Sequence, residues 1–216
     1  MTEAEWLACN DPTPMVEFLR KSDRPSNRKL RLFALACCRH NWRFFVDPRS
    51  RAAIEASEKY ADGTITNKEL NTIERKAASA REKAVRTGEE ELYNAAEAAR
   101  QLASQFVDEM EAAYYALGAS LASEADIAAG SSLLRDIFGN PFRPVSVDPA
   151  WLQWKDSTVP KLAQAIYNDR RFQDLPIVAD ALEKAGCTNQ DILQHYRQSG
   201  EHVRGCWVVD VILGKK

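Results

Sequence analysis

The chain has 216 residues, of which 45% are hydrophobic and 28% charged, with a net charge of −2. It is long enough for a real core, and its composition is that of a globular protein. No apolar run approaches the ~20 residues of a membrane span, and the acidic start "MTEAEWLACNDPTPM" lacks the basic region of a secretory signal. Five cysteines, with Cys37 and Cys38 adjacent, suit reduced thiols better than a disulfide framework and predict a cytoplasmic protein.

Helix-start signals recur along the chain with almost no competing strand pattern. Thr2 to Glu5 and Thr66 to Glu69 read as capping boxes, and Thr188 to Asp191 as a near-match. Asp11-Pro12, Asp47-Pro48 and Asp148-Pro149 each set a cap acid before a proline at the first helical position. These signals predict helices near 3–9, 13–21, 27–45, 49–62, 67–86, 89–117, 123–138, 159–170, 175–186, 189–197 and 202–213. The fold class is therefore all-α, an irregular multihelical domain spanning 1–216.

Residues 66–117 are rich in Ala, Glu, Lys and Arg, and Ala95, Ala99, Leu102, Phe106, Met110, Ala113 and Leu117 form an apolar stripe at helical spacing. With Thr87-Gly88 between its arms, this stretch predicts a long, projecting antiparallel helical hairpin. "FGNPFRPVSVDPAW", Phe138 to Trp151, is the one long irregular segment, and its three aromatics predict an ordered loop held to the core. A boundary between helical lobes falls near 139–150 on this reading.

The wording "RKLRLFALACCRHNW", "DIFGNPFRPV", "LAQAIYNDRRFQDLPIVADALEKAGC" and "HVRGCWVVDVILGKK" resembles the signature blocks of a paralogous bacterial family that expands within large genomes. The blocks cover the N-terminal quarter and everything after Leu134. The resemblance implies a cytoplasmic helical protein and a recognition or regulatory role, and it implies no activity.

Charge is unevenly spread. Residues 20–51 hold ten basic residues against Asp23 and Asp47, a local +8 that leaves −10 for the rest. Arg28, Arg31, Arg39 and Arg43 can meet phosphates on a nucleic acid. The same charges equally suit a basic helix lying on an acidic one, because Leu30, Phe33, Leu35, Cys37 and Trp42 form a core-facing stripe.

Seven of the eight Cys and His residues fall in two clusters. His202 and Cys206 are four apart, so on a helix they share a face. With Cys187 and His195 they make a candidate Cys₂His₂ zinc set, and Cys37, Cys38 and His40 offer substitutes. No CxxC pair, GxSxG, Walker loop, GxGxxG or HExxH occurs, so no catalytic residue is assigned and no cofactor beyond zinc is expected. Core packing is the plain alternative, since reduced cysteine behaves as a small hydrophobe.

For residues 202–213 the spacing predicts a helix with Cys206, Val209 and Leu213 facing inward near Cys187 and with Arg204 and Asp210 toward solvent. A strand from Val203 to Leu213 competes with it. The leading expectation is a non-enzymatic interaction or regulatory module that uses Phe142, Trp151, Trp154 and Phe172 as anchors for a protein partner. A nucleic-acid-binding regulator and a zinc-stabilised helical domain are the alternatives.

Overall fold

The local signals act where they stand. In the computed structural model, which describes residues 1–22, 26–118 and 123–215, Asp11 accepts a hydrogen bond from the Thr13 amide at 2.8 Å and starts α2 (Pro12–Lys21). Asp47 and Asp148 cap α4 (Pro48–Ala61) and α9 (Pro149–Asp169) in the same way, each before a proline. Thr66 and Glu69 close a complete capping box on α5 (Asn67–Val85). On α11 (Gln190–Arg197) the cap is Asn189, one residue past the predicted threonine.

The remaining helices are α1 (Glu3–Ala8), α3 (Asn27–His40), α6 (Glu90–Leu102), α7 (Glu109–Gly118), α8 (Glu124–Phe138), α10 (Leu175–Lys184) and α12 (Trp207–Leu213). Among the described residues there is no strand, and no helix is long and apolar enough to cross a membrane. Asp23 and Arg24 of the basic segment, and the side chain of Met110, lie outside the described residues.

The chain divides into two compact units. The first holds Met1 and Ala8–Leu134, and the second holds Thr2–Leu7 and Arg135–Lys216. The division falls at Leu134, just ahead of the proline-rich segment.

In the first unit α3 is central. Nine consecutive residues, Leu30 through Cys38, are buried, as expected for a helix covered on all sides. It packs on α4, α6 and α7, while α5 packs on α4 and α6. The hairpin of α5 and α6 is present but does not project, because α4 lies against both of its arms. Its expected second arm, 89–117, is broken. Residues 103–108 leave the helix, and Phe106, predicted on the apolar stripe, is 86% exposed.

Arg31 accounts for that break. It is 5% exposed, and its Nη1 donates to the carbonyls of Leu102 at 2.7 Å and Ser104 at 3.0 Å. Those carbonyls come free where α6 ends, and a buried guanidinium satisfies them.

In the second unit α9, α10, α11 and α12 surround a core that includes Ile166, Val178, Leu182, Ile192, Tyr196, Cys206 and Val209. The 139–148 segment is pinned to it through Val145 and Val147. Trp6 of α1 is fully buried, and its indole Nε1 donates to the Gly139 carbonyl at 3.1 Å. Gly139 has φ +67°, and a Cβ there would meet the Trp207 ring at 3.0 Å, so only glycine fits under that ring. The helix predicted from 159 starts earlier, at Pro149, and is interrupted at Trp154–Ser157, where Lys155, Asp156 and Ser157 all have positive φ.

The helix expected over 202–213 begins only at Trp207. Gly205 has φ +96°, a value outside the helical region, so His202 to Cys206 form a turn. Asp210, expected toward solvent, is fully buried, and Leu213 is partly exposed.

Candidate metal centre

The end of α8 carries Leu133, Leu134 and Ile137 into the interior, and Asp136 lies on the same buried side. A carboxylate placed there needs partners, because an unpaired buried charge is costly. It finds three. Asp136 Oδ1 lies 3.1 Å from His195 Nε2 and 2.6 Å from His202 Nδ1, and Oδ2 accepts the Val203 backbone N–H at 2.9 Å.

Helix α11 supplies His195. Its register is set by Tyr196, whose hydroxyl donates to the Val208 carbonyl at 3.0 Å, and by Arg197, which reaches Asp180 and Glu183 of α10. The turn before α12 supplies His202 and Cys206, closed by a Cys206 N–H to Val203 carbonyl bond of 3.0 Å. Cys206 Sγ then stands 3.3 Å from His195 Nε2 and 3.7 Å from His202 Nδ1.

One donor atom from each of Asp136, His195, His202 and Cys206 lies within 4.8 Å of the other three. The site is buried: the side chains of Asp136, His202 and His195 are 3%, 5% and 11% exposed. A group of this composition and spacing can hold a metal ion.

The geometry also argues against a catalytic relay. In a Cys-His-Asp triad, nucleophile and acid contact opposite nitrogens of the imidazole. Here both Asp136 and Cys206 face the same nitrogen of His195, and both face the same nitrogen of His202. The atoms converge on a point.

Burial works to raise the Asp136 carboxyl pKa, but the hydrogen bonds from His195 and His202 more than offset it and hold the group below its ordinary value. Burial pushes the Cys206 thiol well above its ordinary value, and the neighbouring Asp136 charge adds to that rise. A bound cation reverses the second effect, since coordination deprotonates a thiol outright.

Outside the four, the Gln198 side-chain amide lies 3.1 Å from His195 Nδ1, and the Trp207 ring stands 5.1 Å from the His195 ring. Both pack beside the imidazole, and Gly139 leaves room for the Trp207 ring.

Three of the four ligands expected from the sequence thus come together, and Asp136 replaces Cys187. Cys187 is 3% exposed and packs in the core of the second unit, with its thiol pushed up by burial. Asp136 escaped the sequence reading because it is 59 residues from His195. The available signal was an acid on the apolar side of "LLRDIF". Cys37 and Cys38, the proposed substitutes, are fully buried in α3 of the first unit, where His40 faces Asp126 at 3.4 Å.

The arginines of the basic segment have partners within the fold. Arg28 pairs with Asp62 at 3.1 Å, Arg31 clamps the end of α6, and Arg39 forms a two-pronged pair with Glu58 at 3.0 and 2.9 Å. Arg43 is exposed, its guanidinium 4.8 Å from the centre of the Phe44 ring. Of the aromatic anchors, Trp151, Trp154 and Phe172 pack against the core of the second unit, and Phe142 is 37% exposed. Compared with known proteins, the chain matches no protein-family model, no curated protein and no solved structure.

Proposed function

We propose that the second unit binds one zinc ion through Asp136, His195, His202 and Cys206, and that the protein is a metal-stabilised helical module and not a catalyst. The observation that carries this reading is the convergence of four donor atoms within 4.8 Å in a buried site. A tetrahedral zinc with ordinary bond lengths sets its nitrogen and oxygen ligands about 3.3 Å apart, and nitrogen and sulfur about 3.5 Å apart. The separations of 3.3 and 3.7 Å between nitrogen and sulfur bracket the second value, while those of 3.1 and 2.6 Å between nitrogen and oxygen are hydrogen-bond lengths shorter than the first, so Asp136 would draw back from the two imidazoles to admit the ion. One carboxylate and one thiolate balance the dication, so the buried centre is neutral overall. Mixed oxygen, nitrogen and sulfur donors suit zinc better than magnesium or calcium.

Four protein ligands fill a tetrahedron and leave no position for substrate, which is the pattern of structural zinc. The ion would tie the end of α8 to α11 and to the turn before α12. Such a module acts through its surface, in keeping with the recognition or regulatory role the family resemblance implies and with a reducing compartment that keeps Cys206 a thiol. The nucleic-acid alternative loses support, because Arg28, Arg31 and Arg39 already hold partners.

Elemental analysis of protein purified without chelator tests the proposal. One zinc per chain is expected, and Cys206→Ser and Asp136→Asn should each weaken binding by more than about a hundredfold, beyond the loss typical of an outer-shell partner. Cobalt substitution should add tetrahedral visible bands and a thiolate charge-transfer band that Cys206→Ser removes. Protein that takes up no stoichiometric metal from added zinc would end the reading.

A further inference from the structure

The two ring nitrogens of His195 face different surroundings. Nε2 looks into the buried cluster, 3.1 Å from Asp136 Oδ1 and 3.3 Å from Cys206 Sγ. Nδ1 instead meets the side-chain amide nitrogen of Gln198 at 3.1 Å. Gln198 is the C-terminal cap of α11, where its own N–H bonds to the Gln194 carbonyl, and it is exposed. An amide nitrogen donates and does not accept. Nδ1 is therefore the acceptor, and the single proton of the neutral ring sits on Nε2, donated to Asp136. In this hydrogen-bonded form both nitrogens are paired.

A metal ion requires the other tautomer. Coordination takes the Nε2 lone pair, so the neutral ring must carry its proton on Nδ1. The Gln198 amide nitrogen would then oppose an N–H. A half-turn of the carboxamide brings its oxygen to the same place, and Nδ1–H donates to it. A carboxylate at this position could only accept, and a cationic side chain could only donate. A carboxamide serves both forms, and its place at the surface lets it turn without disturbing the core.

We propose that Gln198 is a positioning residue that governs metal exchange at this site, turning its carboxamide as His195 passes between the hydrogen-bonded and metal-bound forms. The proposal rests on the zinc reading of the four donors. As the ion takes the Nε2 lone pair, the Nε2 proton passes to water and Nδ1 takes one up from water, so the ring stays neutral. Neither form leaves a nitrogen of His195 unpaired, and zinc can enter and leave without a lasting loss of hydrogen bonds there.

The test uses the full chain with isotope-labelled histidine, treated with chelator and then loaded with zinc. Ring nitrogen spectra should place the His195 proton on Nε2 in the chelated protein and on Nδ1 in the loaded one. Gln198→Ala should weaken zinc binding about tenfold, the low end for an outer-shell partner, because water can stand in at an exposed position. Gln198→Glu, which accepts only, should favour the metal-bound form and surrender zinc to a chromophoric chelator more slowly than the parent protein. A merely steric role would leave the proton on one nitrogen and the Glu variant equal to the parent. One zinc per chain with either of those results, or with unchanged affinity in Gln198→Ala, overturns the proposal and spares the zinc reading. Protein that takes up no zinc overturns both.

Discussion

Arg31 shows how far one side chain's role departs from its type. An arginine on a basic, aromatic-rich helix invites a reading as a phosphate contact. Its Nη1 instead serves two carbonyls at the end of α6 and lies 3.3 Å from the Ser57 hydroxyl. Burial lowers the Arg31 pKa, and the nearby Glu109 charge opposes that shift. Replacing Arg31 with Met keeps much of the volume and orphans the carbonyls of Leu102 and Ser104. The variant should lose about 2–4 kcal/mol of stability, the cost of charge-assisted bonds plus unsatisfied acceptors, measured by urea denaturation. Arg43, the exposed member of the same set, supplies the control, because Arg43→Met should change stability by less than about 0.5 kcal/mol.

Among the elements, α4 owes its start to Asp47. The Arg49 side chain pairs with this carboxylate and is the largest cause of its pKa falling to about 2 from an ordinary 3.8. Since the folded value lies below the unfolded one, the contribution is fully present above about pH 4 and is lost as pH falls through 2. The stability difference between the protein and Asp47→Asn should therefore be constant near neutrality and shrink between pH 4 and 2 in acid titrations followed by circular dichroism. At the other end of the chain, α12 starts where Gly205, at φ +96°, turns the backbone. Gly205→Ala strains that turn by at least about 1–2 kcal/mol. It should lower both the melting temperature and the zinc affinity, the latter read by competition with a chromophoric chelator. Unchanged affinity would mean that the turn does not position His202 and Cys206.

For the whole molecule, two compact units and the proposed metal site predict a divided response. All four candidate ligands belong to the second unit, with Asp136, His195, His202 and Cys206 all beyond residue 135. At zinc concentrations well above the dissociation constant, the proposed ion should add about 3–4 kcal/mol to that unit. Chelation should then lower its unfolding transition by roughly 15–30 °C, given the sensitivity of a domain of this size. Hydrogen exchange should show amides of α9 to α12 losing protection on chelation, while those of α3 to α7 keep theirs. Equal loss in both units would contradict a local clamp.

The helices were legible because what starts and stops them is local. Asp11, Asp47, Thr66 and Asp148 cap amides within three residues of themselves, and such bonds form wherever the chain goes. The same locality explains the failures. Residues 103–108 contain neither glycine nor proline to stop a helix, yet the helix ends there with its free carbonyls taken by Arg31, 71 residues away from Leu102. His195, His202 and Cys206 stood out in the sequence as rare residues gathered near one end. Their fourth partner did not, since Asp136 is 66 residues from His202 and becomes a neighbour only when α8 and the last turn share one core. Helix content followed from short-range hydrogen bonding and apolar spacing. The candidate donor set, and the conversion of surface-type arginines into internal clamps, were decided by tertiary structure, because which side chains meet depends on the path of the whole chain.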